Sequence, residues 1–251
     1  MHETPKKRMK KQYQPDGGTT MPCDTLKVIE DEEVVTIEHQ PQQGGKKMST
    51  TLVMRRMPEF EMEAYDAATG HYTTVSSEQL KGKWAVVCFY PADFTFVCPT
   101  EIAAMNAHLD KLNELGVVVV PVSGDTKFSH KRFVETEPLL KGLKLVMGAD
   151  TTGDVARKFG VWIEQAGVAL RGRFIINPDG IVVAEETVAD SVGRSVIELI
   201  RQLEAWQHAY ATGEVCPANW RKGKKTLPVN TDVEKMTGNV GDYITIEEIL
   251  A

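Results

Sequence analysis

From Met48 onward, hydrophobic and polar positions fall into blocks that predict alternating strands and helices. Trp84 to Tyr90 (WAVVCFY) is an unbroken apolar run, the pattern of a strand buried on both faces. In Pro99 to Leu115, Ile102, Met105, Leu109 and Leu112 recur at spacings of three and four, which predicts a helix, and Gly116 stands where its C-terminal cap belongs. Val117 to Val122 reads as a second buried strand. Phe128 to Glu135 and Gly153 to Phe159 read as short helices flanking a strand at Lys144 to Met147. Arg173 to Ile176 and Ile181 to Ala184, joined by Asn-Pro-Asp-Gly, predict a β-hairpin. A long helix closes the pattern, with Ser195 and Glu198 placed as a capping box and Ile197, Ile200, Leu203 and Trp206 as its buried stripe.

This order predicts an α/β architecture, one sheet between helical layers, of thioredoxin or flavodoxin type. Residues 1–47 read differently. They hold a basic cluster (Lys6, Lys7, Arg8, Lys10, Lys11), a Gly-Gly-Thr-Thr stretch, an acidic run from Glu30 to Glu33, and only Val34, Val35 and Ile37 as a strand-like patch. So little apolar surface does not offset the entropy of ordering, so the segment reads as a disordered extension, its basic cluster as a solvated tail rather than a localisation signal. Domains are expected at 48–212, with a C-terminal tail over 213–251. Gly44-Gly-Lys-Lys before Met48 can encode a purine-rich ribosome-binding sequence, which favours Met48 as a native start over a genuine extension.

With 42% hydrophobic and 25% charged residues, the 251-residue chain has the composition of a soluble globular protein. It contains no apolar run near the length of about 20 that a membrane-spanning helix needs, and no secretory leader pattern, so no membrane association and a cytoplasmic location are expected. A net charge of −6, spread along the chain, argues against a nucleic-acid surface. The four cysteines, Cys23, Cys88, Cys98 and Cys216, form neither a disulfide framework nor a zinc-like spacing, which leaves cysteine chemistry.

Cys98 is the informative one. It lies in FYPADFTFVCPTE (89–101), between the first buried strand and the long helix, and Pro99 suits the first turn of that helix. At a helix N-terminus, unpaired N–H groups and the positive end of the dipole favour a thiolate, the nucleophilic form. Cys88, inside a strand, reads instead as an inert core thiol. Thr95, three residues before Cys98, can present a hydroxyl to the sulfur or to its target, and Pro91 restricts the approach loop. Val97-Cys98-Pro99 is echoed by Val215-Cys216-Pro217 in a tail rich in Lys, Gly and Pro, where Cys216 is expected to be mobile and exposed. Such a thiol could resolve an oxidised Cys98 from within the chain or from a neighbouring chain.

Pro91-x-x-x-Thr95-x-x-Cys98 and Gly213-Glu-Val-Cys216-Pro-Ala-x-Trp220 resemble the two signatures of the typical two-cysteine peroxiredoxins, close to the alkyl hydroperoxide reductase C group. The similarity runs from about Thr51 to Leu227 and includes Val122-Ser-Gly-Asp125, Phe128-Ser-His130 and Val192-Gly-Arg194-Ser195. The resemblance implies a thioredoxin-like fold, a peroxidatic Cys98, a resolving Cys216 from the partner subunit, and homodimers that assemble into a ring-shaped decamer. It matches the family's active-site arginine to Arg171, and its glutamate after Pro-Thr to Glu101, a bridge between arginines, with Arg194 supporting. It also implies reduction by thioredoxin or a flavoprotein disulfide reductase. The Gly-Gly-Leu-Gly insertion and terminal Tyr-Phe pair of peroxide-sensitive relatives are absent, which predicts a loosely held resolving segment and resistance to over-oxidation.

The chemistry this implies is attack of the Cys98 thiolate on a peroxide oxygen, with Thr95 and Arg171 holding both oxygens, then condensation of the sulfenic acid with Cys216. No metal, haem or flavin is required. A disulfide oxidoreductase or thioredoxin-like binding module is weakened by the missing Cys-x-x-Cys, and a ring-shaped holdase chaperone leaves Thr95 and Arg171 without work.

Overall fold

The computed structural model describes residues 27–30, 33–36, 51–227 and 240–250. They belong to two units, Met1–Met48 and Ser49–Ala251. In the first, β1 (Lys27–Glu30) and β2 (Glu33–Thr36) pair antiparallel, with Val28 opposite Val35 and Ile29 opposite Val34. Val34 and Val35 thus sit in a strand, while Ile37, Cys23, the basic cluster and Met48 lie outside the described residues.

The second unit is built on β3 (Glu61–Asp66), β4 (His71–Ser76), β5 (Trp84–Phe89), β6 (Val117–Ser123), β7 (Val146–Ala149), β10 (Arg171–Ile176) and β11 (Val182–Val188). These form one sheet in the order β11-β10-β5-β6-β7-β3-β4. The β5-β6-β7 centre is parallel, and β10 and β3 join it antiparallel. A flavodoxin-type sheet is parallel in its core order, so the antiparallel β10 against β5 selects the thioredoxin-like alternative. A separate ribbon, β8 (Trp162–Ile163) with β9 (Val168–Ala169), precedes β10.

The continuous apolar run of β5 follows from burial on both sides. Ala85, Val87 and Phe89 face one core, where Val155 and Ala156 of α5 (Asp154–Lys158) and Leu80 of α1 (Ser77–Leu80) pack. Val86, Cys88 and Tyr90 face the other, against α2 (Cys98–Ala107), α3 (Leu109–Glu114), α4 (Lys127–Thr136) and α6 (Val196–Thr212). On the first side Phe89, Phe159 and Phe174 meet at centroid distances of 4.8 to 6.0 Å. At the hairpin, Asn177 Oδ1 accepts from the Ile181 N–H at 2.9 Å and Gly180 adopts φ 76°, which explains the Asn-Pro-Asp-Gly signal.

Three local expectations are corrected. The helix expected over 99–115 breaks at His108 (φ −104°, ψ 13°), giving α2 and α3. The α6 cap is one-sided: Ser195 accepts from the Glu198 N–H, but the Glu198 carboxylate turns to Arg201 and Gln202 instead of reaching back. The buried residues of α6 are Val196, Leu199 and Leu203, whereas Ile197 is 66% and Trp206 39% exposed.

Candidate active site

The parallel β5 ends at Phe89, and the chain crosses the sheet's carboxyl edge through Tyr90–Val97 before α2 begins. Phe94 within this loop takes φ 57°, a left-handed conformation costing about 1–2 kcal/mol for a residue with a Cβ, so the turn persists only because its neighbours hold it. Cys98 opens α2 and Pro99 follows it, tolerated there because first-turn N–H groups have no helical partner. The Cys98 side chain is fully buried, at 0% exposure, among Tyr90, Ile102 and Leu199 in the second core.

Into that buried position the sheet sends a charge. Arg171, at the start of β10, places Nη1 3.2 Å from Cys98 Sγ and 3.0 Å from Glu101 Oε2. Its Nε and Nη2 both donate to the Asp190 carbonyl, at 3.0 and 2.9 Å, which fixes the plane of the guanidinium. Glu101, three residues along α2 from Cys98, is the hub. Its Oε1 accepts from the Arg194 backbone N–H at 2.7 Å and from Arg194 Nε at 2.8 Å, and its Oε2 from Arg194 Nη2 at 3.0 Å. Arg194 Nη2 also donates to the Phe89 carbonyl, tying the network to the end of β5. Burial alone would raise the Glu101 carboxyl, but Arg194, joined by Arg171, outweighs it and holds it below the ordinary carboxylate value. Gly193 permits this packing, since a Cβ there would meet Val97 Cγ1 at 3.2 Å.

Thus Cys98, Arg171, Glu101 and Arg194 come together within hydrogen-bonding distance. Pro91 and Thr95 lie on the loop leading to Cys98, both half-buried, and the Thr95 hydroxyl donates to the Ala92 carbonyl at 2.9 Å, which leaves its oxygen lone pairs as acceptors. Cys88 is a core thiol on β5, its proton held more firmly because of burial.

Cys216 departs from expectation. It is half-buried rather than exposed, its Sγ 3.6 Å from the Ala205 carbonyl of α6, in a cavity of about 590 Å³ lined by Val53, Trp206, Val215 and Pro217. Its segment is pinned by the Val215–Leu227 backbone pair and by buried Trp220, whose carbonyl accepts from Arg201. Asn219 Nδ2 donates to the carbonyl of Ile249 in α7 (Ile246–Leu250) at 3.3 Å. The segment around Cys216 is therefore not loosely held, contrary to the expectation. Burial and the charge of Glu214, offset in part by Arg201, push the Cys216 thiol up.

Sequence reasoning missed Asp190, which contributes only a backbone carbonyl and so leaves no side-chain signal. It also missed Asp93 and the role of His130. His130 and Phe133 are buried one turn apart on α4, so a helical-period reading turns that histidine inward.

Residues 53–185 match the AhpC/TSA family, and residues 205–243 match the C-terminal domain of 1-Cys peroxiredoxin. Alkyl hydroperoxide reductase C of Staphylococcus saprophyticus is 42% identical over 184 residues, covering 73% of this chain and 97% of that protein. Among solved structures, the reduced 2-Cys peroxiredoxin of Plasmodium vivax superposes with a TM-score of 0.67 at 36% identity, over 70% of this chain and 92% of that one. Enterococcus faecalis AhpC gives a TM-score of 0.63 at 41% identity, over 66% of this chain and 99% of that one.

Proposed function

The chain belongs to the AhpC/TSA family and is a thiol-dependent peroxidase, and on that premise we propose that Cys98 is the attacking thiolate and Cys216 of the partner subunit its resolving thiol. The observation that carries this reading is Arg171 Nη1 at 3.2 Å from Cys98 Sγ, itself held by Glu101. A guanidinium there faces the negative charge that develops on the departing oxygen.

The sulfur attacks one peroxide oxygen, the O–O bond breaks with its electron pair on the other oxygen, and a proton completes water or an alcohol. Cys98 is left as a sulfenic acid. Thr95 accepts from the peroxide O–H and Pro91 shapes the approach. The Cys216 thiol then displaces hydroxide, released as water, and a disulfide forms. An external dithiol, supplied by thioredoxin or a flavoprotein disulfide reductase, returns both thiols by exchange. The enzyme's substrates are hydrogen peroxide and organic hydroperoxides, as membership of the family supports. The working unit is a homodimer assembling into a ring-shaped decamer in the cytoplasm.

Peroxide turnover with a dithiol donor tests the assignment. Cys98→Ser abolishes turnover, and Cys216→Ser permits one peroxide per chain without disulfide-linked dimers on a non-reducing gel. Turnover surviving Cys98→Ser overturns the assignment, and an oxidised monomer with an internal Cys98–Cys216 bond overturns resolution by the partner.

A further inference from the structure

A second buried polar cluster lies on the Cys98 side of the sheet, and none of the steps above uses it. At its centre His130 of α4 and Asp93 of the active-site loop have fully buried side chains. His130 Nδ1 stands 3.0 Å from Asp93 Oδ2 and 3.2 Å from Oδ1, and Nε2 stands 3.1 Å from the carbonyl oxygen of Gly148 in β7. Both of these neighbours are acceptors, and the Tyr90 hydroxyl, 3.4 Å from Nδ1, makes its shorter bond to Asp93 Oδ1 at 2.8 Å. A neutral imidazole carries one N–H and can satisfy only one of them, leaving a lone pair facing an oxygen in a dry interior.

Asp93 is surrounded by donors, as an ionised carboxylate would be. The Tyr90 hydroxyl donates to Oδ1 at 2.8 Å and Ser129 Oγ to Oδ2 at 2.7 Å. Burial first, then the Asp93 charge, keeps the Tyr90 hydroxyl protonated and so a donor. The Asp93 backbone N–H donates in turn to Asp125 Oδ2 at 2.8 Å, which also accepts from Ser123 Oγ at 2.7 Å. The charged side chains nearest on α4 turn elsewhere, Lys127 to Glu63 and Lys131 to Glu135. Next along the chain stand Phe94, in its left-handed turn, and then Thr95.

We propose that His130 and Asp93 hold one proton between them, as an imidazolium on a carboxylate, and act as a positioning pair that fixes the Tyr90–Val97 loop so that Thr95 meets the peroxide. The inference rests on the assignment of Cys98 and Thr95 above. The pair touches neither sulfur nor substrate. It ties the loop to its own first residue through Tyr90, to α4 through Ser129 and to β7 through Gly148, so the loop is anchored at the residue before the strained Phe94. A carboxamide at position 93 can donate to a neutral His130 Nδ1 and rebuild the link without the charge, whereas an alanine cannot.

Neutron diffraction from crystals of the full reduced chain reads the proton directly. The expected result is deuterium bound to both His130 Nε2 and His130 Nδ1; an Nδ1 without deuterium, or with the bridging deuterium bound to an Asp93 oxygen, overturns the charged pair. The positioning role is read by comparing the rate of Cys98 with hydrogen peroxide and with iodoacetamide, which needs no oriented oxygen. His130→Gln and Asp93→Ala are expected to slow the peroxide reaction roughly 10- to 100-fold while alkylation stays within about twofold, and Asp93→Asn to recover most of the loss. Ser129→Ala, which removes one donor to Asp93, gives a smaller loss of the same kind if the larger changes prevent folding. Equal slowing of both reactions, or none in either, overturns positioning. Peroxide turnover that persists in Cys98→Ser would instead refute the assignment on which the pair's role depends.

Discussion

Arg171 spends three nitrogens on fixed partners, Nη1 on Cys98 and Glu101, and Nε with Nη2 on the Asp190 carbonyl. A lysine cannot reproduce that fork, so Arg171→Lys is expected to lower kcat/KM for peroxide by about 100-fold while preserving the charge; a peroxide titration under single-turnover conditions measures it. Glu101 makes a pH statement. Its folded-state carboxyl lies below the ordinary 4.5, so its stabilising contribution is complete above that value and disappears as pH falls through the lowered folded value. Glu101→Gln leaves two buried guanidinium groups uncompensated and is expected to cost about 3 kcal/mol at neutral pH, with the deficit shrinking in acid, as urea unfolding at several pH values would record. Cys98 was legible in the sequence from its place at a helix entrance, and Arg171 and Glu101 only through the family resemblance that its motif carries. The carbonyl of Asp190 and the buried contact between Asp93 and His130 were not, because each depends on neighbours distant in the chain.

At the scale of elements, what was legible followed the period of burial. The central strands β5 and β6 and the β10–β11 hairpin announce themselves by apolar runs and turn residues. The β3–β4 hairpin did not, since β4 is an edge strand exposed at His71, Tyr72, Thr73 and Thr74 and offers no apolar run. The α6 stripe held at Leu203 and in part at Ile200, and failed at Ile197 and Trp206 for a geometric reason. Steps of three drift by about 60° each on a helix, so Ile197 and Trp206 end about 180° apart and cannot share one buried face, whereas Val196, Leu199 and Leu203 can. The expected consequence is that Leu203→Ala costs about 2–5 kcal/mol and Ile197→Ala about 0.5 kcal/mol or less in chemical denaturation of the reduced chain.

For the whole molecule, the complete seven-stranded sheet and both of its cores lie within Ser49–Ala251. A chain beginning at Met48 is therefore expected to fold and to turn over peroxide at the rate of the full chain, as thermal melting and an activity assay on the two would show. The two sulfurs proposed to react are both sheltered, Cys98 in the core and Cys216 against α6, with Asn219 fastened to α7. On the proposed assignment of Cys98 and Cys216, bond formation between them is expected to wait until the first turn of α2 and the Cys216 segment leave these positions. That waiting time is set by the fold and is independent of peroxide, while a second oxidation of the sulfenic acid accelerates in proportion to peroxide. Two clocks with different reaction orders make a dose meter: below one concentration nearly every cycle closes, and above it a rising share of molecules is retired per turn. Shortening the chain after Leu227 frees the Asn219 tether and is expected to move that threshold upward, so the fastening of a short helix sets how much oxidant the enzyme withstands before it falls silent.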